Sequence, residues 1–181
     1  TALDMFGDFR AMPLQEAIEK GLIVMLGEEM DRDYADYVKS LAQRPDEQLD
    51  KTVSIVYTPL NGAGNEPVRK VLELCGHGNV TAVPEQEMPD GDFPTVAYPN
   101  PEVKEALQLA HELADQVDAD LVIGTDPDSD RMGVMVKDHE GNFRNLTGNL
   151  IGCMLCEYEL NRLKESGRLP ADSYEIGRAH V

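Results

Sequence analysis

Three aspartates alternate with other residues in the segment GTDPDSDRMG, which covers residues 124–133. Asp126, Asp128 and Asp130 occupy every second position, and Arg131 follows the last of them. Alternate side chains of an extended segment share one face, so this spacing predicts that the carboxylates converge while the two intervening side chains point away. Because like charges repel, such a cluster destabilises the fold unless a cation compensates it.

The ligand type narrows the choice of cation. Carboxylate oxygens select Mg²⁺, Mn²⁺ or Ca²⁺. An EF-hand calcium loop beginning at Asp126 would need glycine at its sixth position and glutamate at its twelfth, where this chain has Arg131 and Lys137. Three carboxylates leave about three positions of a Mg²⁺ octahedron open for water and a phosphate oxygen, and an arginine can bind the same phosphate. The sequence therefore predicts one Mg²⁺ ion on Asp126, Asp128 and Asp130, with Arg131 as a phosphate contact.

Two other interpretations of this segment stay open. The carboxylates can form an acidic turn that pairs with Arg131 and binds no metal. A phosphatase of the aspartyl-phosphate type also has an aspartate pair after a strand, but it would want threonine or valine where this chain has Asp130. The phosphatase is therefore the weaker of the enzyme interpretations.

Two further motifs are weaker candidates for chemistry. The Gly-Ala-Gly at residues 62–64 begins like a dinucleotide-binding fingerprint, but its third glycine is missing and Glu66 places negative charge where a pyrophosphate would lie. A structural tight turn is the favoured interpretation. Cys153 and Cys156 form a CxxC pair inside an apolar helical pattern with no further ligands nearby, so we expect buried helix cysteines rather than a zinc site.

The elements around the aspartates alternate between strand and helix. Apolar runs rich in β-branched residues predict four strands, at 52–57, 79–83, 121–123 and 133–136. Amphipathic spacing predicts one helix from about Asn65 to Cys75 and another that is capped by Asn100 and runs to Val117. This alternation predicts a three-layer α/β/α fold with a mostly parallel sheet. The aspartates then lie at the carboxyl end of a strand, where such sheets bind ligands.

Composition and charge exclude some classes of partner. The chain has 34 Asp+Glu against 16 Lys+Arg and a formal net charge of −18, which disfavours nucleic acid and anionic membranes because both need a basic surface. No apolar stretch approaches the roughly 20 residues that span a bilayer, and the first residues lack the layout of a signal peptide. Three cysteines do not suggest a disulfide framework. We therefore expect a cytoplasmic protein.

Four segments together resemble the α-D-phosphohexomutase family. They occur there in this order and at this spacing: YTPLNGAG (57–64), PEQEMPDGDFPTV (84–96), YPNPE (98–102) and TDPDSDR (125–131). The stretch FPTVAYPNPE looks like the phosphoglucomutase branch, which also includes phosphopentomutase-like members. Asn61 is a departure, because many of these enzymes have histidine at that position.

The resemblance implies an enzyme that interconverts hexose 1-phosphate and hexose 6-phosphate. In the family, a phosphoserine on the first domain gives its phosphoryl group to the sugar phosphate, and a bisphosphate intermediate returns a phosphoryl group to the serine. The resemblance implies that Asp126, Asp128 and Asp130 bind the Mg²⁺ ion that contacts this phosphoserine, with Arg131 beside it. The expected partners are a sugar phosphate and the missing domains of the same chain. A mutase for mannose or pentose phosphate and a noncatalytic acidic binding module are the alternatives.

The family has four domains, which implies a division of this chain. We expect residues 1–30 to be a linker and helix from a preceding domain, residues 31–140 to form the α/β/α metal-loop domain, and residues 141–174 to be the first strand and helix of a following α/β domain that is cut short. Residues 175–181 correspond to the DNA sequence GAGATCGGAAGAGCACACGTC, which is similar to a sequencing adapter. We expect this tail to be an artefact that packs against nothing.

Overall fold

A computed structural model describes residue 7 and residues 11–44 and 49–172 of the chain. The tail at 175–181 lies outside the described residues. The chain divides into two compact units, Thr1–Tyr34 and Ala35–Val181. Helix α1 (Leu14–Glu19) lies in the first unit, and α2 (Glu28–Ser40) crosses the boundary between the two.

A five-stranded sheet forms the centre of the second unit. Its strands are β1 (Ile55–Thr58), β2 (Val80–Ala82), β3 (Leu121–Thr125), β4 (Met132–Lys137) and β5 (Phe143–Leu146). Their spatial order is β2-β1-β3-β4-β5. Strand β1 pairs in parallel with β2 and β3, which confirms the predicted parallel arrangement, whereas β4 and β5 join as antiparallel strands. The sheet is therefore mixed.

Strand β5 occupies the edge of this same sheet. It pairs with β4 along the register that joins Val134 to Leu146 and Lys137 to Phe143. Asp138 closes the intervening turn, because its carboxylate accepts hydrogen bonds from the backbone N–H groups of Glu140 and Asn142 at 2.9 Å each. The expected domain boundary after residue 140 falls within this turn and stays a prediction.

The connections between the parallel strands place helices on both faces. Helix α3 (Asn65–Leu74) joins β1 to β2, and α4 (Gln108–Gln116) lies between β2 and β3. The chain moves outward from β1 to β2 and then back across β1 to β3. Since such crossovers are right-handed, the reversal of direction puts α3 and α4 on opposite faces. This confirms the three-layer α/β/α fold.

The hydrophobic core lies between the sheet and α4. Val56, Val122 and Met135 project from three adjacent strands toward Ala110 and Ala114 of α4, and all five are buried. The two alanines let the helix approach the sheet closely, and they occupy positions i and i+4 of one helical face. This buried face agrees with the amphipathic spacing that predicts the helix.

The predicted start of that helix is wrong. Asn100 does not cap it, because the Asn100 side-chain oxygen accepts the backbone N–H of Glu102 at 3.0 Å in a local turn. Val103 stays extended, a short 3₁₀ helix covers Lys104–Leu107, and α4 begins only at Gln108. Asparagine side chains compete with helical hydrogen bonding in this way, so a cap signal can also mark a turn.

Helix α5 (Gly148–Glu165) carries the CxxC pair. The two cysteines are on a helix, as predicted, but Cys153 is exposed and Cys156 is only half-buried. Ile151 is the buried residue of α5, and a residue two positions further along a helix points about 200° away from it. The prediction that Cys153 is buried is therefore wrong. None of the helices in the described ranges combines the length and hydropathy needed to span a membrane.

Candidate metal centre

The aspartate segment begins where β3 ends, beside the loop that follows β1. Thr58 at the end of β1 is paired with Gly124 of β3 in a parallel arrangement. The loops that follow the two strands therefore begin at the same edge of the sheet. The connection that leaves β1 runs to β2 on one side, and the connection that leaves β3 runs to β4 on the other side. Open α/β sheets bind ligands outside the carboxyl ends of the strands at such a reversal. The aspartate segment therefore lies at the carboxyl end of a strand, as predicted.

The aspartate segment is a turn rather than an extended strand. The backbone N–H of Ser129 donates to the backbone oxygen of Asp126 at 3.0 Å, and Ser129 has a positive φ of 62°. The strictly alternating geometry predicted for the segment is therefore wrong. The turn nevertheless brings the three carboxylates together, since one oxygen of each lies within 4.8 Å of the others across Asp126, Asp128 and Asp130.

One carboxylate of the cluster is buried and two are exposed. Asp126 is 7% exposed, whereas Asp128 and Asp130 are exposed to solvent. The backbone N–H of Arg131 donates to Asp126 Oδ1 at 2.9 Å and so fixes the buried group at the base of the turn. The two outer carboxylates leave the other side of the cluster open to solvent and to a ligand.

Burial raises the pKa of Asp126 above its ordinary value, and the neighbouring charges of Asp128 and Asp130 raise it further. The hydrogen bond from the Arg131 backbone acts in the opposite direction. Asp126 therefore ionises less readily in the metal-free protein than a solvent-exposed aspartate does. A divalent cation at the cluster would favour that ionised form, because an opposite charge within a few ångströms stabilises it.

The guanidinium group of Arg131 lies beside the same carboxylates. Arg131 Nε is 3.8 Å from Asp126 Oδ2 and 3.7 Å from Asp130 Oδ1, which is too far for a hydrogen bond. Nε is buried and has no hydrogen-bond partner. These ion pairs fit an acidic turn without a metal as well as a metal loop. The role of Arg131 as a phosphate contact stays a prediction.

The donor set suits a hard divalent cation. Three carboxylate oxygens from one turn can occupy one side of an octahedron, and Mg²⁺ usually keeps its other positions for water and phosphate oxygens. Two of the three carboxylates face solvent, so these open positions would be accessible from outside the domain.

Sequence reasoning missed the hydroxyl groups of Tyr57 and Thr125, which lie between the ends of β1 and β3 next to the aspartate turn. Tyr57 on β1 is fully buried, and its hydroxyl lies 2.8 Å from Thr125 Oγ1, directly before Asp126. The strand pattern contains a signal for this contact, because Tyr57 is level with Ile123 in the register and Thr125 lies two residues further on the same face. The contact can be inferred only when β1 is known to pair with β3, and the sequence does not specify that pairing.

Asn61 has a structural role in the neighbouring loop. It is 6% exposed, and its side-chain N–H₂ donates to the backbone oxygens of Glu85 at 3.3 Å and Met88 at 2.9 Å. Its φ of 57° is in the left-handed region, which asparagine tolerates better than most residues. The Asn61 side chain therefore links the 85–88 segment to the loop that follows β1.

The chain is similar to sugar-phosphate mutases over most of its described length. Residues 32–141 match the family model described as phosphoglucomutase/phosphomannomutase, alpha/beta/alpha domain II. A protein of Haemophilus influenzae named "Probable phosphomannomutase" is 42% identical over 135 residues, covering 75% of this chain and 27% of that protein. The phosphoribomutase of Saccharomyces cerevisiae is 40% identical over 159 residues, covering 83% of this chain and 26% of that protein.

A solved structure has the same fold. The crystal structure of a phosphoglucomutase/phosphomannomutase family protein from Burkholderia thailandensis aligns with a TM-score of 0.57 at 19% identity, covering 84% of this chain and 31% of that one. This similarity supports the fold alone. The chain spans about a quarter of the length of the two relatives compared above.

Proposed function

The chain belongs to the phosphoglucomutase/phosphomannomutase family, and from this membership we propose that it is the Mg²⁺-binding part of an enzyme that moves a phosphoryl group within a sugar phosphate. One observation carries the proposal. The oxygens of Asp126, Asp128 and Asp130 converge at the carboxyl end of β3, inside the residues that match the family.

The residues of this chain have an electrostatic task in the proposed reaction. Asp126, Asp128 and Asp130 hold the ion at the rim of the sheet, and Arg131 lies beside the position of the transferred phosphate. When bound, Mg²⁺ supplies positive charge next to the phosphoryl oxygens. Phosphoryl transfer depends mainly on positioning and on offsetting negative charge. The buried Asp126 fixes the site relative to the sheet, and the two exposed aspartates complete it.

The proposed reaction needs groups from other parts of a longer chain. A phosphoserine passes its phosphoryl group to the sugar phosphate, and the resulting bisphosphate returns one phosphoryl group to the serine. We propose glucose phosphate as the substrate, on the similarity of FPTVAYPNPE to the phosphoglucomutase branch. Mannose and pentose phosphates stay as alternatives, in keeping with the names of the two relatives.

The proposed domain organisation follows from the same membership. The match to domain II ends at residue 141, close to the proposed end of the metal-loop domain at residue 140. Beyond it, α5 exposes Leu150, Met154 and Leu155. We propose that residues 141–174 begin the following domain and that residues 1–30 connect to the preceding one.

A metal titration of this chain tests the proposed role. We expect calorimetry to show weak, saturable Mg²⁺ binding, because much of the ion's shell stays water when no phosphate is present. We also expect the chain alone to isomerise no sugar phosphate, because none of its segments resembles the family's phosphoserine loop. Asp128→Asn should weaken the binding. Asp36 is also exposed, and Asp36→Asn, which makes the same change of charge, should not weaken it. Equal binding by the Asp128→Asn variant and the original protein would contradict the assignment.

The upstream reading frame separates the enzyme from a noncatalytic binding module. A serine loop resembling TASHNP in that frame supports a mutase. A complete frame without such a loop supports an acidic binding module that retains the fold.

A further inference from the structure

We propose that Gly62 and Gly64, together with Tyr57, are positioning residues that set the location of the aspartate turn. This inference rests on the proposed metal site. It gives the Gly-Ala-Gly motif at residues 62–64 a role beyond forming a tight turn. The loop after β1 and the turn after β3 touch through these residues, so the geometry of one depends on the other.

Gly62 brings the two backbones into direct contact. A Cβ atom on Gly62 would lie 2.3 Å from Pro127 Cα and 2.5 Å from Pro127 O. The adjacent Ala63 N–H donates to the same Pro127 oxygen at 2.8 Å. Pro127 separates Asp126 from Asp128, so the loop after β1 is packed against the residue between two of the proposed ligands.

Gly64 leaves space for hydroxyl groups below the turn. A Cβ atom there would lie 2.5 Å from Tyr57 Oη, 2.6 Å from Ser129 Oγ and 2.8 Å from Thr125 Oγ1. Tyr57 is near the end of β1, Thr125 is at the end of β3, and Ser129 is in the aspartate turn itself. Tyr57 is buried and hydrogen-bonded to Thr125 at 2.8 Å, so it cannot move aside without losing that contact.

The loop after β1 is also held from its other side. The backbone N–H of Asn61 donates to the Gln86 backbone oxygen at 2.8 Å, and Thr58 Oγ1 donates to Gln86 Oε1 at 2.7 Å. Gln86 is fully buried. A side chain added at the glycines would therefore displace the aspartate turn rather than its own loop.

The expected displacement is large enough to alter metal binding. A methyl group on Gly62 would be 2.3 Å from Pro127 Cα, whereas ordinary contact begins at 3.4 Å, so the loops would separate by about 1.1 Å. Mutation of the residues that orient metal ligands typically costs about 10–100-fold in metal affinity. Because two of the three ligands are exposed and can readjust, we expect a loss near the lower end of this range, about tenfold in Mg²⁺ affinity, for Gly62→Ala.

The test compares Mg²⁺ titrations of four variants with the original 181-residue chain. Gly62→Ala is matched by Gly78→Ala, because Gly78 has no atom within 4 Å of its Cβ position. Tyr57→Phe is matched by Tyr98→Phe, because Tyr98 is 61% exposed. We expect Gly62→Ala and Tyr57→Phe to raise the Kd while both controls leave it unchanged. Melting in EDTA should show Tyr57→Phe folded, which separates positioning from general destabilisation.

Each outcome bears on the proposal. A folded Gly62→Ala variant with the Kd of the original protein overturns it. If Gly62→Ala does not fold, Tyr57→Phe decides, and an unchanged Kd for Tyr57→Phe overturns the proposal. If the original chain shows no saturable Mg²⁺ binding, the proposed metal site fails and this inference with it. Binding by the original chain and by all four variants alike overturns only the positioning role.

Discussion

Asp128→Asn should stabilise the metal-free chain while removing its response to Mg²⁺. The carboxylate oxygens of the cluster lie within 4.8 Å of one another. At that separation, with water-like screening, each pair of like charges costs about 1 kcal/mol. The substitution removes the repulsion of residue 128 with Asp126 and with Asp130. Because Asp128 and Asp130 are exposed, salt screens part of this energy, and we expect a net gain of about 1 kcal/mol.

The assay is thermal unfolding in EDTA and in Mg²⁺. A gain of about 1 kcal/mol raises the Tm of a chain of this size by about 2–4 °C. Mg²⁺ at 100 times its Kd should stabilise the original protein by about 2.7 kcal/mol. Asp128→Asn should melt higher than the original protein in EDTA and respond less to added Mg²⁺. Asp36→Asn, which removes one charge elsewhere, controls for the change in net charge.

The opposite pattern would refute this reasoning. If Asp128→Asn melts lower in EDTA and keeps the Mg²⁺ response of the original protein, the Asp128 carboxylate stabilises the turn and is not a metal ligand. That outcome would favour the acidic-turn interpretation.

Two further predictions concern protonation and a buried hydrogen-bond network. The pKa of Asp126 in the folded protein is raised above its ordinary value of 3.8. In the metal-free protein this shift lowers the free energy of unfolding at any pH above the raised pKa, where Asp126 is ionised. It has no effect at a pH below the pKa of the unfolded state, where Asp126 is protonated in both states. Protons should therefore compete with Mg²⁺ as the pH falls through the raised pKa, and a Kd that stays constant from pH 7 to well below that pKa would contradict this. Gln86→Leu should destabilise the chain by about 1–3 kcal/mol for each partner left unsatisfied, because the Gln86 side chain bonds Thr58 at 2.7 Å and Thr95 at 3.0 Å. Denaturant unfolding measures this effect, and an unchanged midpoint would contradict it.

Local patterns predicted the layered fold and the convergence of the aspartates. Apolar runs and helical spacing are properties of neighbouring residues, and the alternation of strand and helix restricts the topology to a parallel core. The three carboxylates come together because their positions follow directly on β3. Their spacing was sufficient to identify the cluster even though the backbone forms a turn there.

Other features depend on contacts between distant residues. Tyr57 and Thr125 are 68 positions apart, and their hydrogen bond follows from strand pairing that no local pattern contains. The close packing of Gly62 on Pro127 is equally nonlocal. At Asn100, one residue type serves both helix caps and turns, and the turn with Glu102 is the one that forms.

Turnover by the full-length protein, assayed as the proposed mutase, tests the central claim most directly. The conversion of glucose 1-phosphate should be measured for the complete protein, its Asp128→Asn variant and its Asp36→Asn variant at saturating Mg²⁺. The metal is expected to contribute several kcal/mol to transition-state stabilisation, so Asp128→Asn should reduce kcat by about 100-fold or more with the fold intact. Asp36→Asn should retain full activity. A folded Asp128→Asn enzyme with undiminished kcat would contradict the metal role of the aspartate turn.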